Sequence, residues 1–196
     1  EWGPGSGKST AMARMLLEEA EQARDGKALG EAAVEPKALK IPVLVELRYY
    51  DQSLQQLIEV SLQRHDESLD VGELEQWLSQ GRLLLLLDGV NELPSEAARQ
   101  DVRRFRRRYE KTTSMVFSTR KLGEGGDLGI GKTLTMQPLN EEQMTDLVQA
   151  YLPGQGEVML AQLGNRLREF GAVPLLLWML CSVYESNQHQ IPTNLG

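Results

Sequence analysis

The first ten residues contain a group of side chains suited to binding phosphate. Glycines allow a backbone with positive φ and close approach of N–H groups to phosphate oxygens, a lysine supplies a positive charge, and a hydroxyl can reach magnesium. The pattern predicts a phosphate-binding loop of the Walker A type, with nucleotide contacts from Pro4, Gly5, Ser6, Gly7, Lys8, Ser9 and Thr10. The alternative is a glycine-rich turn before a helix. It is disfavoured because lysine, serine and threonine stand in the register of the motif.

The start of this loop departs from the full pattern GxxxxGK[ST]. Trp2 stands where the first glycine is expected, and only two residues precede Gly3. The strand that normally leads into such a loop therefore has no counterpart in the sequence. We expect the chain to be a piece of a longer protein whose first, central strand is largely missing here.

Asp88 follows the most apolar segment of the chain. Residues 83–87 are five consecutive leucines, and an apolar run without alternation is typical of a strand covered on both faces in a parallel sheet. A carboxylate at the end of a buried strand is costly unless it binds a cation or joins a hydrogen-bond network. We predict that Asp88 and Ser9 hold Mg²⁺. The alternative for Asp88 is a turn-forming Asp-Gly pair.

Glu92 and Arg120 are candidates for hydrolysis, together with Lys8. Glu92 lies four residues after Asp88 and could orient or deprotonate an attacking water, the alternative being a solvated acid before Pro94. Arg120 ends a predicted strand over residues 114–119, so in a parallel sheet it would lie at the same edge as Asp88. There it could contact a γ-phosphate. Its placement alone favours this role and that of an ordinary surface arginine equally.

Composition excludes several functional classes. The 196 residues carry a net charge of −7, which argues against a general binder of nucleic acid or of anionic membranes. A single cysteine excludes an internal disulfide framework, two histidines exclude a zinc cluster of usual spacing, and no apolar run is long enough for a membrane span. We expect a cytoplasmic protein.

A basic run over residues 99–111 invites a nucleic-acid interpretation. Its cations alternate with an apolar stripe at Ala98, Val102, Phe105 and Tyr109, which predicts an amphipathic helix. A solvated cationic face is favoured over a nucleic-acid or partner surface. The cations are Arg99, Arg103, Arg104, Arg106, Arg107, Arg108 and Lys111.

Predicted strands alternate with predicted helices as far as residue 138. Strands are expected over residues 41–47, 83–87, 114–119 and 133–136, and capping boxes predict helices that begin after Ser53, Asp70 and Asn140. This order predicts an α/β fold with a doubly wound parallel sheet. We expect residues 1–138 to form a nucleotide-binding core, and residues 139–196 a small helical subdomain, truncated at its C-terminus, whose most apolar helix covers residues 173–183.

Several motifs together resemble the NACHT domain of the STAND class of P-loop NTPases, which is related to AAA+ ATPases. Residues 5–10 resemble its Walker A segment, LLLLDGVNEL at residues 84–93 its extended Walker B segment, and FSTR at residues 117–120 its sensor strand. Residues 41–48, Pro138-Leu139 and VPLLL at residues 173–177 are also similar. The segment DGVNEL resembles the corresponding segment of bacterial, particularly cyanobacterial, members of this family.

The resemblance implies a P-loop NTPase that binds ATP or GTP with Mg²⁺ and acts as a switch in a larger signalling or defence protein. Nucleotide would drive self-oligomerisation, and effector and sensor domains would lie elsewhere in the full-length chain. By position, Lys8 would bind phosphate, Ser9 and Asp88 would hold magnesium, Glu92 would assist hydrolysis, Arg120 would sense the γ-phosphate, and Pro174 would pack against the base. Asn91 stands where the family often has aspartate, which leaves Glu92 as the acid. The alternative is an assembly module that holds nucleotide without significant hydrolysis.

Overall fold

The computed structural model describes residues 5–28, 40–64, 71–120, 128–164 and 171–191, without the side chains of residues 26–28 and 71. The predictions made for Trp2, Pro4 and Asp70 lie outside these residues. The chain divides into two compact units. Residues 9–132 form a sheet unit, and residues 1–8 with 133–196 form a helical unit.

Among the described residues, the sheet unit contains three parallel strands, which confirms an α/β fold with a parallel sheet. They are β1 (Ile41–Glu46), β2 (Leu83–Asp88) and β3 (Ser114–Phe117), in the order β1-β2-β3. Glu46 pairs with Asp88, and Leu87 pairs with Phe117. All five leucines of β2 are buried, as expected of a strand with neighbours on both sides and layers on both faces.

Helices flank this sheet on both faces. The helices are α1 (Lys8–Ala28), α2 (Leu54–Gln63), α3 (Val71–Ser79) and α4 (Glu96–Tyr109), with short 3-10 helices at Leu47–Tyr49 and Val90–Glu92. Successive side chains of a strand point to opposite faces. Leu83, Leu85 and Leu87 accordingly join the core that holds α2, α3 and α4, whereas Leu84 and Leu86 are buried with Met12 of α1.

Serine side chains begin two of these helices. Ser53 accepts the Gln56 N–H at 3.2 Å, and Ser95 accepts the Ala98 N–H at 3.1 Å. Both bonds satisfy a donor that the first turn of a helix leaves without a partner. The predicted start of α2 after Ser53 is therefore confirmed.

Asp101 ties the start of α2 to α4. One carboxylate oxygen accepts the Leu54 N–H at 2.8 Å and the Tyr50 hydroxyl at 3.1 Å. Burial, the hydrogen bond to Asp101 and the charge of that carboxylate raise the pKa of Tyr50 to about 12.

The helical unit contains α5 (Glu141–Tyr151), α6 (Gly156–Leu163) and α7 (Pro174–Ser186). Asn140 and Gln143 form the predicted capping box, with side-chain bonds of 2.8 and 3.0 Å in both directions. The helices share a core that has no residue in common with the sheet unit. It includes Met144, Val148, Leu152, Met159, Leu163, Leu177, Leu180 and Tyr184.

The strand predicted over residues 133–136 is wrong. This segment has no regular secondary structure, and the Leu134 side chain is 97% exposed. Alternation of polar and apolar residues favours a strand only where a neighbouring strand supplies backbone hydrogen bonds and a core receives the apolar face. In the described structure this segment has neither.

The leucine layer under α1 gives a test of the fold. Leu86→Ala should lower the free energy of unfolding by about 2–5 kcal/mol, because Leu86 is fully buried between the sheet and α1. Leu17→Ala makes the same chemical change at an exposed site of α1 in the same unit and should stay within about 0.5 kcal/mol of the parent. Urea unfolding followed by tryptophan fluorescence, to which Trp77 of this unit contributes, measures both. Equal losses for the two variants would contradict the assigned core.

The Tyr50 hydroxyl predicts a stability change at alkaline pH. Its native pKa lies above the ordinary tyrosine value, so the neutral hydroxyl stabilises the fold fully below about pH 10, and this contribution is lost as the pH rises towards 12. Tyr50→Phe should be less stable than the parent below pH 10, and the difference should shrink between pH 10 and 12. The exposed neighbour Tyr49→Phe is the control. A difference that is independent of pH would disprove the role of this hydroxyl.

Candidate functional site

Polar side chains gather at the carboxyl edge of the sheet. Asp88 ends β2, and Ser118 follows directly after β3. Because the strands are parallel, residues that follow them lie at the same edge, where ligands bind in open α/β sheets. The structure thus brings Asp88, Glu92 and Arg120 to one edge of the sheet unit.

Ser118 holds the end of β2 in place. Its buried hydroxyl donates to Asp88 Oδ1 and accepts the Gly89 N–H at 2.9 Å. Its backbone N–H donates to Leu87 O, and its carbonyl accepts the Val90 N–H, both at 2.9 Å. A half-buried carboxylate is therefore oriented by a neighbouring strand. Sequence reasoning missed Ser118, although a hydroxyl at the end of a strand next to the acidic one was the available signal.

Gly89 makes the turn after Asp88. Its φ of 86° lies in the left-handed region, which residues with a Cβ rarely adopt. A Cβ at this position would lie 3.2 Å from Glu92 Oε2. Glycine therefore allows both the turn and the position of the Glu92 side chain.

Glu92 and Arg120 form an ion pair beside this turn. Arg120 Nη2 lies 3.3 Å from Glu92 Oε1, and the two side chains are 48% and 36% exposed. The Arg120 backbone N–H donates to Asn91 Oδ1 at 3.0 Å. The predicted base and the predicted phosphate sensor are thus partners of one another in this structure.

Two glycines of the predicted phosphate loop adopt left-handed backbone conformations. Gly5 has a φ of 88° and Gly7 a φ of 85°. Lys8 begins α1, and its ammonium group donates to the Ser6 hydroxyl at 2.9 Å. Both glycines therefore occupy conformations that other residues disfavour, directly before a helix of 21 residues.

The start of α7 lies against this loop within the helical unit. The Leu175 N–H donates to Gly5 O at 3.3 Å. A Cβ added to Gly5 would lie 2.6 Å from Leu175 Cβ, which is too close for any side chain. Pro174, the predicted base contact, is the first residue of α7 and precedes this contact.

Ser9 and Thr10 lie in the first turn of α1 with exposed side chains. Ser9 precedes Met12 by about one turn, and Met12 is buried with Leu84 and Leu86 of the strand that ends at Asp88. Both predicted magnesium ligands, Ser9 and Asp88, therefore belong to the sheet unit.

The donor set near Asp88 suits Mg²⁺ better than a metal that needs a protein cage. Among the described residues, no group of three or more His, Cys, Asp or Glu could hold a metal ion. Magnesium is usually bound through one or two carboxylates, with phosphates and waters completing its shell. A single carboxylate at Asp88, oriented by the Ser118 hydroxyl, fits this mode of magnesium binding.

The basic face of α4 is largely paired with carboxylates. Five of its arginines lie within 4 Å of an acidic side chain, which is the arrangement expected of a solvated helix face. The pairs are Arg99–Glu96, Arg103–Glu96, Arg104–Asp101, Arg106–Glu110 and Arg108–Glu75.

Within the described ranges, no helix has the length and apolar character to cross a bilayer. No protein-family model matches the chain, and no curated protein matches it either.

The turn after Asp88 can be tested by adding one methyl group. Gly89→Ala should lower the free energy of unfolding by about 1–2 kcal/mol, because a side chain is disfavoured at this φ, and the new Cβ would also crowd Glu92. Gly131→Ala is the matched control, since nothing lies within 4 Å of its added Cβ. Chemical denaturation of both variants measures the effect. A neutral Gly89→Ala would contradict the described turn.

Proposed function

We propose that the chain is the nucleotide-binding switch module of a NACHT-like P-loop NTPase of the STAND class, which binds ATP or GTP with Mg²⁺ and hydrolyses it slowly. The observation that carries this proposal is the loop over residues 5–8. It combines two glycines with positive φ and a lysine at the start of a long helix. Such a loop exposes backbone N–H groups to an anion where the helix dipole favours negative charge.

In this proposal Lys8 exchanges its partner when nucleotide binds. Its ammonium group now donates to Ser6. A β- or γ-phosphate carries more negative charge than a hydroxyl oxygen and forms the stronger, charge-assisted bond. Lys8 would leave Ser6 for phosphate, while the N–H groups of residues 5–10 bind the remaining phosphate oxygens.

Ser9 and Asp88 would hold magnesium, which when bound neutralises charge that develops on the phosphate oxygens. Ser118 keeps the Asp88 carboxylate oriented through its hydroxyl. Glu92 would orient the attacking water and accept its proton, and Arg120 would stabilise charge on the transferred phosphoryl group.

The start of α7 would contact the base. Pro174 and Leu175 are apolar, and Leu175 already bonds to the loop through Gly5. Packing of this kind binds the ring of adenine or guanine through its apolar face.

The exposed apolar surface of α7 supports a contact with another protein. Leu176, Met179 and Val183 are large apolar side chains with substantial exposure, and contiguous patches of this kind mark protein contacts. We propose that nucleotide binding controls self-oligomerisation. Effector and sensor domains would lie in other parts of the full-length protein.

One observation favours a second candidate, an assembly module that holds nucleotide without significant hydrolysis. The Glu92 carboxylate is paired with Arg120 and is therefore directed at a cation and not at a water molecule. Turnover measurements separate the two candidates.

Nucleotide binding and phosphate release in purified protein test the proposal. Lys8→Ala should abolish binding, and Glu92→Gln should retain it while phosphate release falls about 100-fold or more, because a positioned base contributes rate but not ground-state affinity. Exposed Lys111→Ala and Glu142→Gln are the matched controls and should behave like the parent.

Each failure has a distinct meaning. Unchanged turnover in Glu92→Gln would remove Glu92 from the mechanism. Binding without turnover above background in the parent would support the assembly module. Binding that survives Lys8→Ala at full strength would reject the phosphate loop.

A further inference from the structure

A cavity of about 340 Å³ lies between α2 and α4 in the sheet unit. Gln55, Gln56 and Glu59 line it from α2, and Arg104 and Arg108 line it from α4. It shares no residue with the candidate nucleotide site. The two helices therefore bring charges of opposite sign to one cavity.

Glu59 lines this cavity without a cationic partner among the described residues. Its side chain is half-buried, and the Gln55 side-chain amide donates to its Oε1 in a long hydrogen bond of 3.4 Å. None of the ion pairs formed within the described ranges includes Glu59. A carboxylate that is partly removed from water is stabilised by a cation. The cavity thus offers a place for a positively charged group.

The two arginines lie one turn apart on α4 and have weak partners. Arg104 Nη2 lies 3.6 Å from Asp101 Oδ1, and Arg108 Nη2 lies 3.3 Å from Glu75 Oε1. Both guanidinium groups are mostly exposed, and ion pairs of this kind contribute little energy. Each guanidinium has five N–H donors. Both can therefore bind a further anion.

Asp101 does not depend on Arg104 for its bonding. Its Oδ2 accepts the Leu54 N–H at 2.8 Å and the Tyr50 hydroxyl at 3.1 Å. These bonds remain when Arg104 turns towards another anion. The cost of redirecting Arg104 into the cavity is therefore small.

Arg108 is held beside the cavity by an aromatic ring. Its guanidinium lies 5.2 Å from the centre of the Tyr109 ring, which also lines the cavity. Stacking on a ring face leaves the N–H groups at the edge of the guanidinium available to an anion.

We infer that this cavity binds a small zwitterion with the chemistry of a free amino acid. The ligand carboxylate binds to Arg104 and Arg108, since arginine suits a planar carboxylate, and the ligand ammonium group pairs with Glu59. The volume lies at the lower end of ligand pockets, which span about 300–1,000 Å³, so the ligand is small. This inference is independent of the proposed function.

Titration of purified protein with each standard L-amino acid, followed by NMR, tests the inference. At least one amino acid should shift backbone amide signals of α2 and α4. Analogues of that amino acid that lack either the ammonium group or the carboxylate should each bind about two- to fivefold more weakly, which corresponds to the loss of one exposed ion pair.

Variants assign each ligand charge to a side chain. Glu59→Gln should weaken binding of the amino acid about two- to fivefold but should not weaken binding of the analogue without ammonium. Arg108→Gln should weaken binding of the amino acid but not that of the analogue without carboxylate. Exposed Arg107→Gln and Glu73→Gln are the matched controls outside the cavity and should leave all affinities unchanged.

Three results would overturn the inference. The first is the absence of signal changes at α2 and α4 with every amino acid tested. The second is an affinity that survives removal of either ligand charge. The third is an equal loss in Glu59→Gln for the amino acid and for its analogue without ammonium, because Glu59 would then not pair with that group. None of these results bears on nucleotide binding, which is proposed for residues outside the cavity.

Discussion

The arrangement of this site depends on the burial of β2. The strand is paired on both sides and covered on both faces, so its five leucines are buried. The first residue at which the chain can present charge is therefore Asp88. Its neighbour in β1, Glu46, is itself paired with Arg48. The partners of Asp88 must come from the end of β3, and the parallel register Leu87–Phe117 brings Ser118 beside it. Burial of apolar side chains thus decides where the candidate site forms, and strand register decides which polar groups meet there.

Backbone conformations that require glycine shape both candidate sites. Gly89 turns the chain after β2 and leaves room for Glu92, and Gly5 leaves room for Leu175 at the start of α7. In each case the missing Cβ lets a functional segment approach more closely than any side chain would allow. A left-handed backbone costs about 1–2 kcal/mol for residues other than glycine. At Gly89 and Gly5 the backbone cannot change conformation without displacing Glu92 or Leu175. Glycine avoids the cost at these two positions.

Short-range features were predictable from sequence, and pairings over long range were only partly so. The leucine run and the capping box of Asn140 and Gln143 are local patterns, and the structure contains both. Parallel strands implied that Asp88 and Arg120 share an edge. Sequence could not show that Ser118, 30 residues away, bonds to Asp88, since that contact depends on strand register.

The strand expected over residues 133–136 failed because alternation states which face is apolar but not whether another strand lies alongside. Sequence also could not show that Arg120 pairs with Glu92, since Glu92 is expected to act on water and Arg120 on a γ-phosphate.

The pairing of Glu92 with Arg120 contributes little to stability and can open readily. A deeply buried ion pair resists separation, because breaking it leaves a desolvated charge. The pair of Glu92 and Arg120 is partly exposed, so water can solvate either group when the contact opens, and the energy of the contact is small. A phosphate oxygen offers arginine a more negative partner and a geometry that accepts two parallel N–H bonds. The bond to Asn91 keeps the arginine backbone at the edge of the sheet. A weak contact at an anchored residue allows the side chain to change partner without unfolding the loop that carries it.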